Sequence, residues 1–542
     1  RTLFATAAYG FRAMRQLWTL LNQHLPKLAS GQLGRGRFPL PVARTTSAAL
    51  APGRFKARKT STVLLLLLVT AFVVRLWPAL VHPGINHPDE LFQTLEQAHR
   101  LVFGYGLIPW EFEYGTRSWL LPGMIAALMW VGRLFGAAPT VYVGSVHLAL
   151  AALATTTVLC SFFWGGRLGG RWSGLAAAAL PAFWPDALYF GARTLSECVV
   201  APLLVIVLYL IDAATPTSRR RLLIAGLLLG VILTLRIQLA PAVLTILLWT
   251  ALAQGRERLA VIAVGLGAAT ALAGVLDAVT WGQPFQSAWR NLLYNTYYGV
   301  SSSFGTEPWT FYLELLARYW WPFFALLALF IAAGGRQLPL PFLVAAIIFA
   351  THSLIPHKEH RFIYPAVILL LVVAGSGMAR LGSWMVARRM ASVRLSGISL
   401  TAGSLLISLV LASSPPYQEL WERGYDMVRA ASYVSGLSGV CGIGTYRTYG
   451  GYTYFHKPVP YYWSYERPSF ERDLPAFNTI MTAEPNSIPP GYELRQCFDT
   501  VCVAQRAGSC EKLPPTGLPR PAFESDLATD DHGLRAGGAA HF

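Results

Sequence analysis

The chain has 542 residues, of which 54% are hydrophobic and only 13% charged, and its mean hydropathy is +0.43. A soluble protein of this size carries about a quarter charged residues, so the composition excludes that class and indicates a polytopic membrane protein. The net charge of +17, from 44 Lys plus Arg against 27 Asp plus Glu, is concentrated in short clusters between apolar runs, as in cytoplasmic loops, and argues against nucleic-acid binding.

In chain order, residues 1–60 are basic, rich in Gly, Pro, Ser and Thr, and read as a disordered cytoplasmic tail. Arg54, Lys56, Arg58 and Lys59 precede the first apolar run, 62–80, which directs the loop 82–118 to the luminal or periplasmic side. That loop holds Asp89, Glu90, Glu96, Glu111 and Glu113 in an acid-poor chain. Pro88 suits a first helical position, and Asp89 and Glu90 follow in the first turn, where the helix dipole favours carboxylates. Leu91, Leu95, Ala98 and Val102 recur at helical spacing and predict an amphipathic helix lying on the membrane surface. An ionised carboxylate there suits a general base. Acids decorating a helix N-terminus account for the same pattern.

Further apolar stretches run at 119–136, 141–163, 173–190, 195–213, 222–235, 237–252, 259–279, 311–333, 338–356, 361–386 and 396–414. Arg219 to Arg221, Arg256 with Arg258, Arg336 and Arg388 to Arg394 mark cytoplasmic turns between them. Counting from those clusters places Arg193, Arg236, residues 280–310, His357 to Arg361 and the C-terminal region on the outer side, which requires an odd number of crossings. The stretches number evenly, so one between 119 and 190 is expected to be split or re-entrant. The fold expected is an all-α polytopic membrane protein of about 11–13 membrane segments.

Three more polar sites share the outer side. One pairs Arg193 with Glu197, one is the loop from Trp281 to Tyr312 with Asn291, Asn295, Glu307 and Trp309, and one runs from His352 to Phe362. Charges kept at membrane depth bind something or pair together. Lys358 and Arg361 suit a phosphate at the membrane face, although Lys and Arg also snorkel at helix ends. His357 and His360 stand three apart beside two cations, not at the i,i+4 spacing of a metal pair, so no metal site is read here. Residues 61–415 thus form the membrane domain. Residues 416–513 turn polar and hold Cys441, Cys497, Cys502 and Cys510, which predicts a small extracytoplasmic α/β domain with one or two disulfides. Residues 514–542 read as a disordered tail.

His87-Pro88-Asp89-Glu90 followed by Phe92-Gln93, Arg117-Ser118, the run Phe304-Gly305-Thr306-Glu307-Pro308-Trp309, and His357-Lys358-Glu359-His360-Arg361-Phe362 together resemble glycosyltransferase family 22. Those are dolichyl-phosphate-mannose-dependent α-mannosyltransferases of the GT-C fold. The resemblance covers about residues 62–415, and from Pro88 to Pro122 it is nearest to the branch acting third in GPI-anchor synthesis. It implies inverting transfer of mannose from a polyprenyl (dolichyl) phosphate to a lipid-linked glycan, with membrane lipids as surroundings. It also implies an acidic-loop base, carried over to Asp89 with Glu90 second. Arg361, Lys358, His357, Arg193 and Arg236 become candidates for the donor phosphate, and Glu96, Arg117, Asn295, Glu307 and Trp309 for acceptor or substrate contacts. The fold needs no nucleotide site, and this sequence offers no strong metal ligand set. Phe304 and Glu307 depart from the family's Tyr-Gly-x-His-Pro-Trp pattern, and Arg236-Ile237-Gln238 from its Arg-Pro-Thr. Residence is then the endoplasmic reticulum membrane in a eukaryote or the inner membrane in a bacterium, where the sugar or acceptor would differ. A lipid or glycan transporter is the other class considered.

Overall fold

The computed structural model describes residues 57–213 and 218–515. The tail readings at 1–60 and 514–542 fall almost wholly outside them, except that a helix already starts at Ala57. Among the described residues, six helices are long and apolar enough to cross a membrane, or up to seven with one bent pair. Leu120–Arg133, Ser196–Ile211 and Pro339–Leu354 are apolar but shorter. Every apolar stretch of the sequence falls on a helix.

The 45-residue helix Pro139–Phe183 is two helices joined by a reversal at Gly169 and Gly170, both outside helical φ/ψ. Gly170 has φ 73°, a conformation that glycine adopts without Cβ strain. A Cβ on Gly165 would strike Ala177 and one on Gly174 would strike the Phe162 carbonyl. The two halves therefore fold back on each other through small residues, the means by which membrane helices approach closely.

Leu120–Arg133 is fixed at both ends. Its start packs Trp119 against Phe112 and Trp281 at 4.9 and 6.1 Å, while at its end Arg133 lies 5.3 Å over Phe103 of the acidic loop. The stretch 311–333 is also broken, with 111° between Phe311–Tyr319 and Phe324–Gly335.

The acidic loop is helical, as a π turn over Glu90–Leu95 continuing into Glu96–Phe103, but it does not lie on a surface. Leu91, Leu95 and Ala98 are buried, and so are Glu90, Glu96, Gln97 and His99 on the other sides. The expected surface helix is sandwiched because the C-terminal domain covers its polar face. The backbone N–H groups of Tyr452 and Thr453 both donate to the Glu96 carboxylate at 3.0 Å. That domain is a five-stranded mixed sheet of order β2-β1-β3-β5-β4. β1 (Ile443–Tyr446) lies parallel to β2 (Tyr461–Ser464) and β3 (Thr479–Thr482), whereas β5 (Val501–Gln505) is antiparallel to β3 and to β4 (Glu493–Phe498). Disulfides join Cys441 to Cys510 and Cys497 to Cys502.

Candidate active site

A polar cavity opens between the acidic loop, the start of Ser196–Ile211, the end of Arg219–Leu235 and residues 287–291. Asp89, Arg117, Glu197, Arg236 and Arg361 line it, with Gln93, Ser118 and Asn291 among the neutral polar groups.

Asp89 closes the His87-Pro88 turn, in which Glu90 N–H donates to the His87 carbonyl at 2.9 Å. Its Oδ2 accepts a 2.6 Å hydrogen bond from Arg361, its Oδ1 lies 3.3 Å from His87 Nδ1, and the side chain stays 24% exposed. Burial pushes this carboxyl up, but Arg361 and then His87 outweigh it and hold Asp89 well below the usual carboxylate range. Asp89 is thus ionised at neutral pH and reachable from the cavity.

Arg361 sits on the 3-10 turn His360–Ile363 that starts the helix Tyr364–Ala387. Its Nε donates to Glu359 Oε2 at 2.6 Å and a terminal nitrogen to Oε1 at 3.1 Å, the two-point match of a planar guanidinium to a carboxylate. Glu359 is also 3.0 Å from His357 Nε2. Burial pushes Glu359 up, yet His357 and then Arg361 bring it down to about 2. Arg236 leaves helical geometry at the end of Arg219–Leu235 (φ −147°, ψ 88°) and ion-pairs with Glu197 at 3.1 Å. Behind Asp89, Glu111 accepts from Gln93 Nε2 at 2.7 Å, and burial followed by the nearby Asp89 charge raises it to about 7.

Of the residues singled out from the sequence, Asp89, Gln93, Arg117, Ser118, Glu197, Arg236, Asn291 and Arg361 meet in this cavity. The others point elsewhere. Glu90 is buried, accepts from Thr194 N–H and pairs with Arg193 at 3.3 Å, and Arg193 also donates to the Gly84 carbonyl. Both pin the loop down instead of serving as base and phosphate ligand. Lys358 gives its ammonium to the carbonyls of Glu307 and Ile355 at 2.7 and 2.6 Å, so it staples two outer loops. His357 is held between Glu359 and the Gly305 carbonyl. Glu96 is spent on the C-terminal domain. Asn295 donates back to the Asn291 carbonyl, and Glu307 and Trp309 are exposed on the outer loop, outside the cavity lining. Among the described residues no group of three His, Cys, Asp or Glu is placed to hold a metal ion. His357 turns to Glu359 and His360 to Asp186.

Sequence reasoning missed the parts played by Glu359, Glu111 and Asp186. Asp186 is fully buried, and accepts from Trp320 Nε1 and His360 Nε2 at 3.0 Å each and from the Tyr417 hydroxyl. A lone aspartate inside an apolar run was the available signal, because such a charge must be paired.

These features describe a polytopic helical membrane fold of the GT-C type with a charged cavity beside its acidic loop. The crystal structure of ArnT from Cupriavidus metallidurans bound to undecaprenyl phosphate matches 84% of this chain and 100% of its own, with TM-score 0.58 at 14% identity. The same enzyme in the apo state gives 0.54. Residues 65–456 match the Alg9-like mannosyltransferase family, and the chain belongs to it. The match runs beyond residue 415 into the C-terminal domain that covers the loop. GPI mannosyltransferase 3 of Drosophila melanogaster is 28% identical over 62% of this chain and 58% of its own length. The Trypanosoma brucei brucei enzyme of that name is 26% identical over 72% and 77%, and the Yarrowia lipolytica one 30% identical over 59% and 64%. The chain thus spans less than two thirds of the fly and yeast relatives it matches.

Proposed function

We propose that the protein is an inverting α-mannosyltransferase that moves mannose from a polyprenyl-phosphate donor, dolichyl phosphate in a eukaryote, to a hydroxyl of a lipid-linked glycan of the GPI-anchor type. The reaction takes place on the luminal face of the endoplasmic reticulum membrane. The observation that carries the proposal is the Asp89–Arg361 contact, which joins two motifs 272 residues apart at one polar cavity. Asp89 takes the acceptor proton as the acceptor oxygen bonds to C1 of mannose and the C1–O bond to phosphate breaks. The electron pair leaves on the polyprenyl phosphate. Attack opposite the leaving group converts a β-linked donor to an α-mannoside, and phosphate needs no acid to depart. Cations at the cavity offset the charge that grows on it. The family membership supports mannose, the relatives named GPI mannosyltransferase 3 support the acceptor, and the undecaprenyl phosphate bound to ArnT supports the donor class.

The test is transfer of radiolabelled mannose from synthetic polyprenyl-phosphate mannose in purified membranes, with separation of the lipid acceptors. The wild type should label a GPI-like lipid, and Asp89→Asn should lower the rate by roughly 10²–10⁴-fold while remaining folded. No transfer by well-folded wild type would overturn the reaction, and retained activity in the variant would overturn the base.

A further inference from the structure

The positive charges near the cavity are unequal in what they have left to give. Arg361 spends its Nε and one terminal nitrogen on Glu359 and Asp89. Arg236 faces Glu197 at 3.1 Å. Arg193 faces Glu90, and Lys358 is enclosed by carbonyls. Of the three arginines that line the cavity, Arg117 is the one without an ion pair among the described residues. It lines the cavity, has no carboxylate within ion-pair distance among the described residues, and its buried Nε makes no hydrogen bond. A guanidinium in a half-buried polar wall that feels the Asp89 and Glu111 charges through space, with its Nε unbonded, keeps donors for an incoming anion.

The backbone that carries Arg117 is held in place. Trp281 Nε1 donates to the Arg117 carbonyl at 3.1 Å, and Arg290 donates to the Tyr114 carbonyl at 2.8 Å. Ser118 and Asn291, beside it in the lining, add neutral groups that can donate to phosphate oxygens or sugar hydroxyls.

We propose that Arg117 is the receptor for the donor's phosphate, while Arg361 chiefly holds Asp89 in position. The argument rests on the transferase reading above and refines it. Arg117 bonds two phosphate oxygens through its planar fork, strengthens those bonds as the C1–O bond breaks, and keeps the polyprenyl phosphate until release. The arginine motif of the acidic loop and the base of the same loop thus act on opposite ends of one displacement.

The experiment measures binding of a labelled short-chain polyprenyl phosphate, the reaction product, to the purified protein in detergent, independently of turnover. Arg117→Gln should bind it roughly 10- to 100-fold more weakly than wild type. Arg117→Lys should fall between, because it keeps the charge and loses the fork. Asp89→Asn should bind at least as well as wild type, since a competing anion has gone. Arg117→Met serves the same purpose if the Gln variant is not recovered folded. Unchanged binding in the neutral Arg117 variants, including the case where only the KM for acceptor rises, overturns the assignment and leaves the transferase reading standing. Absence of binding by the wild type overturns both.

Discussion

Asp186→Asn tests whether the segment bearing Arg361 is positioned from below. The carboxylate is fully buried and receives three donors, with Trp320 and Tyr417 on Oδ2 and His360 on Oδ1. An asparagine oxygen can keep Trp320 and Tyr417, which turns the amide onto His360 Nε2. The imidazole must then accept there and carry its proton on Nδ1, a buried atom without a partner. Two charge-assisted hydrogen bonds become neutral and one buried N–H is orphaned, which together cost about 2–4 kcal/mol. In detergent the apparent melting temperature should fall by roughly 5 °C. Because His360 and Arg361 are consecutive on one 3-10 turn, kcat should fall about 10- to 100-fold through a displaced guanidinium. The assay pairs thermal inactivation with mannosyl transfer. An Asp186→Asn protein that melts with the wild type and keeps its kcat would refute both the network and the positioning argument.

Glu111→Gln carries a pH signature. Glu111 sits at about 7 against an ordinary 4.5, so its contribution is fully present below pH 4.5 and is lost as pH rises through 7, a difference of about 3 kcal/mol. The variant should therefore be more stable than wild type at pH 8 and equal to it at pH 4, as measured by melting across that range. Equal melting at both pH values would count against the burial and Asp89 repulsion invoked for it. Glu96→Gln places an amide opposite Thr453 N–H and Oγ1, now at 3.0 and 2.8 Å. It should cost about 1–3 kcal/mol and speed proteolysis of the C-terminal domain. Unchanged cleavage would show that this carboxylate does not secure the domain.

Composition was enough for the fold class, since every long apolar run became a helix. How each helix is held depended on packing. Leu120–Arg133 is as apolar as its neighbours, but Trp119 against Phe112 and Arg133 over Phe103 tie both its ends to the acidic loop. The burial of the acidic loop was hidden for a similar reason. Its polar face reads as solvent-facing until a short helix about 350 residues later, Tyr452–Phe455 of the C-terminal domain, supplies Tyr452 and Thr453 to Glu96. At the site, the two charged motifs were legible and their meeting was not, because nothing local to Asp89 or Arg361 encodes the contact.

Adjacent charges separated into different duties for a geometric reason. Successive residues on a helical turn point ~100° apart, so one residue of a charged pair reaches the cavity while its neighbour faces the packed side. Asp89 turns to Arg361 and the open space, whereas Glu90, one residue on, turns to Arg193 and Thr194. The second motif behaves alike. Lys358 turns back onto loop carbonyls, His360 descends to Asp186, and Arg361 between those directions meets Asp89. A run such as His-Pro-Asp-Glu or His-Lys-Glu-His-Arg therefore contains both the reacting group and the fixings that aim it. Mutating the fixings should lower activity through stability and orientation together. Mutating Asp89 should lower activity alone, and that split separates chemistry from scaffold within each motif.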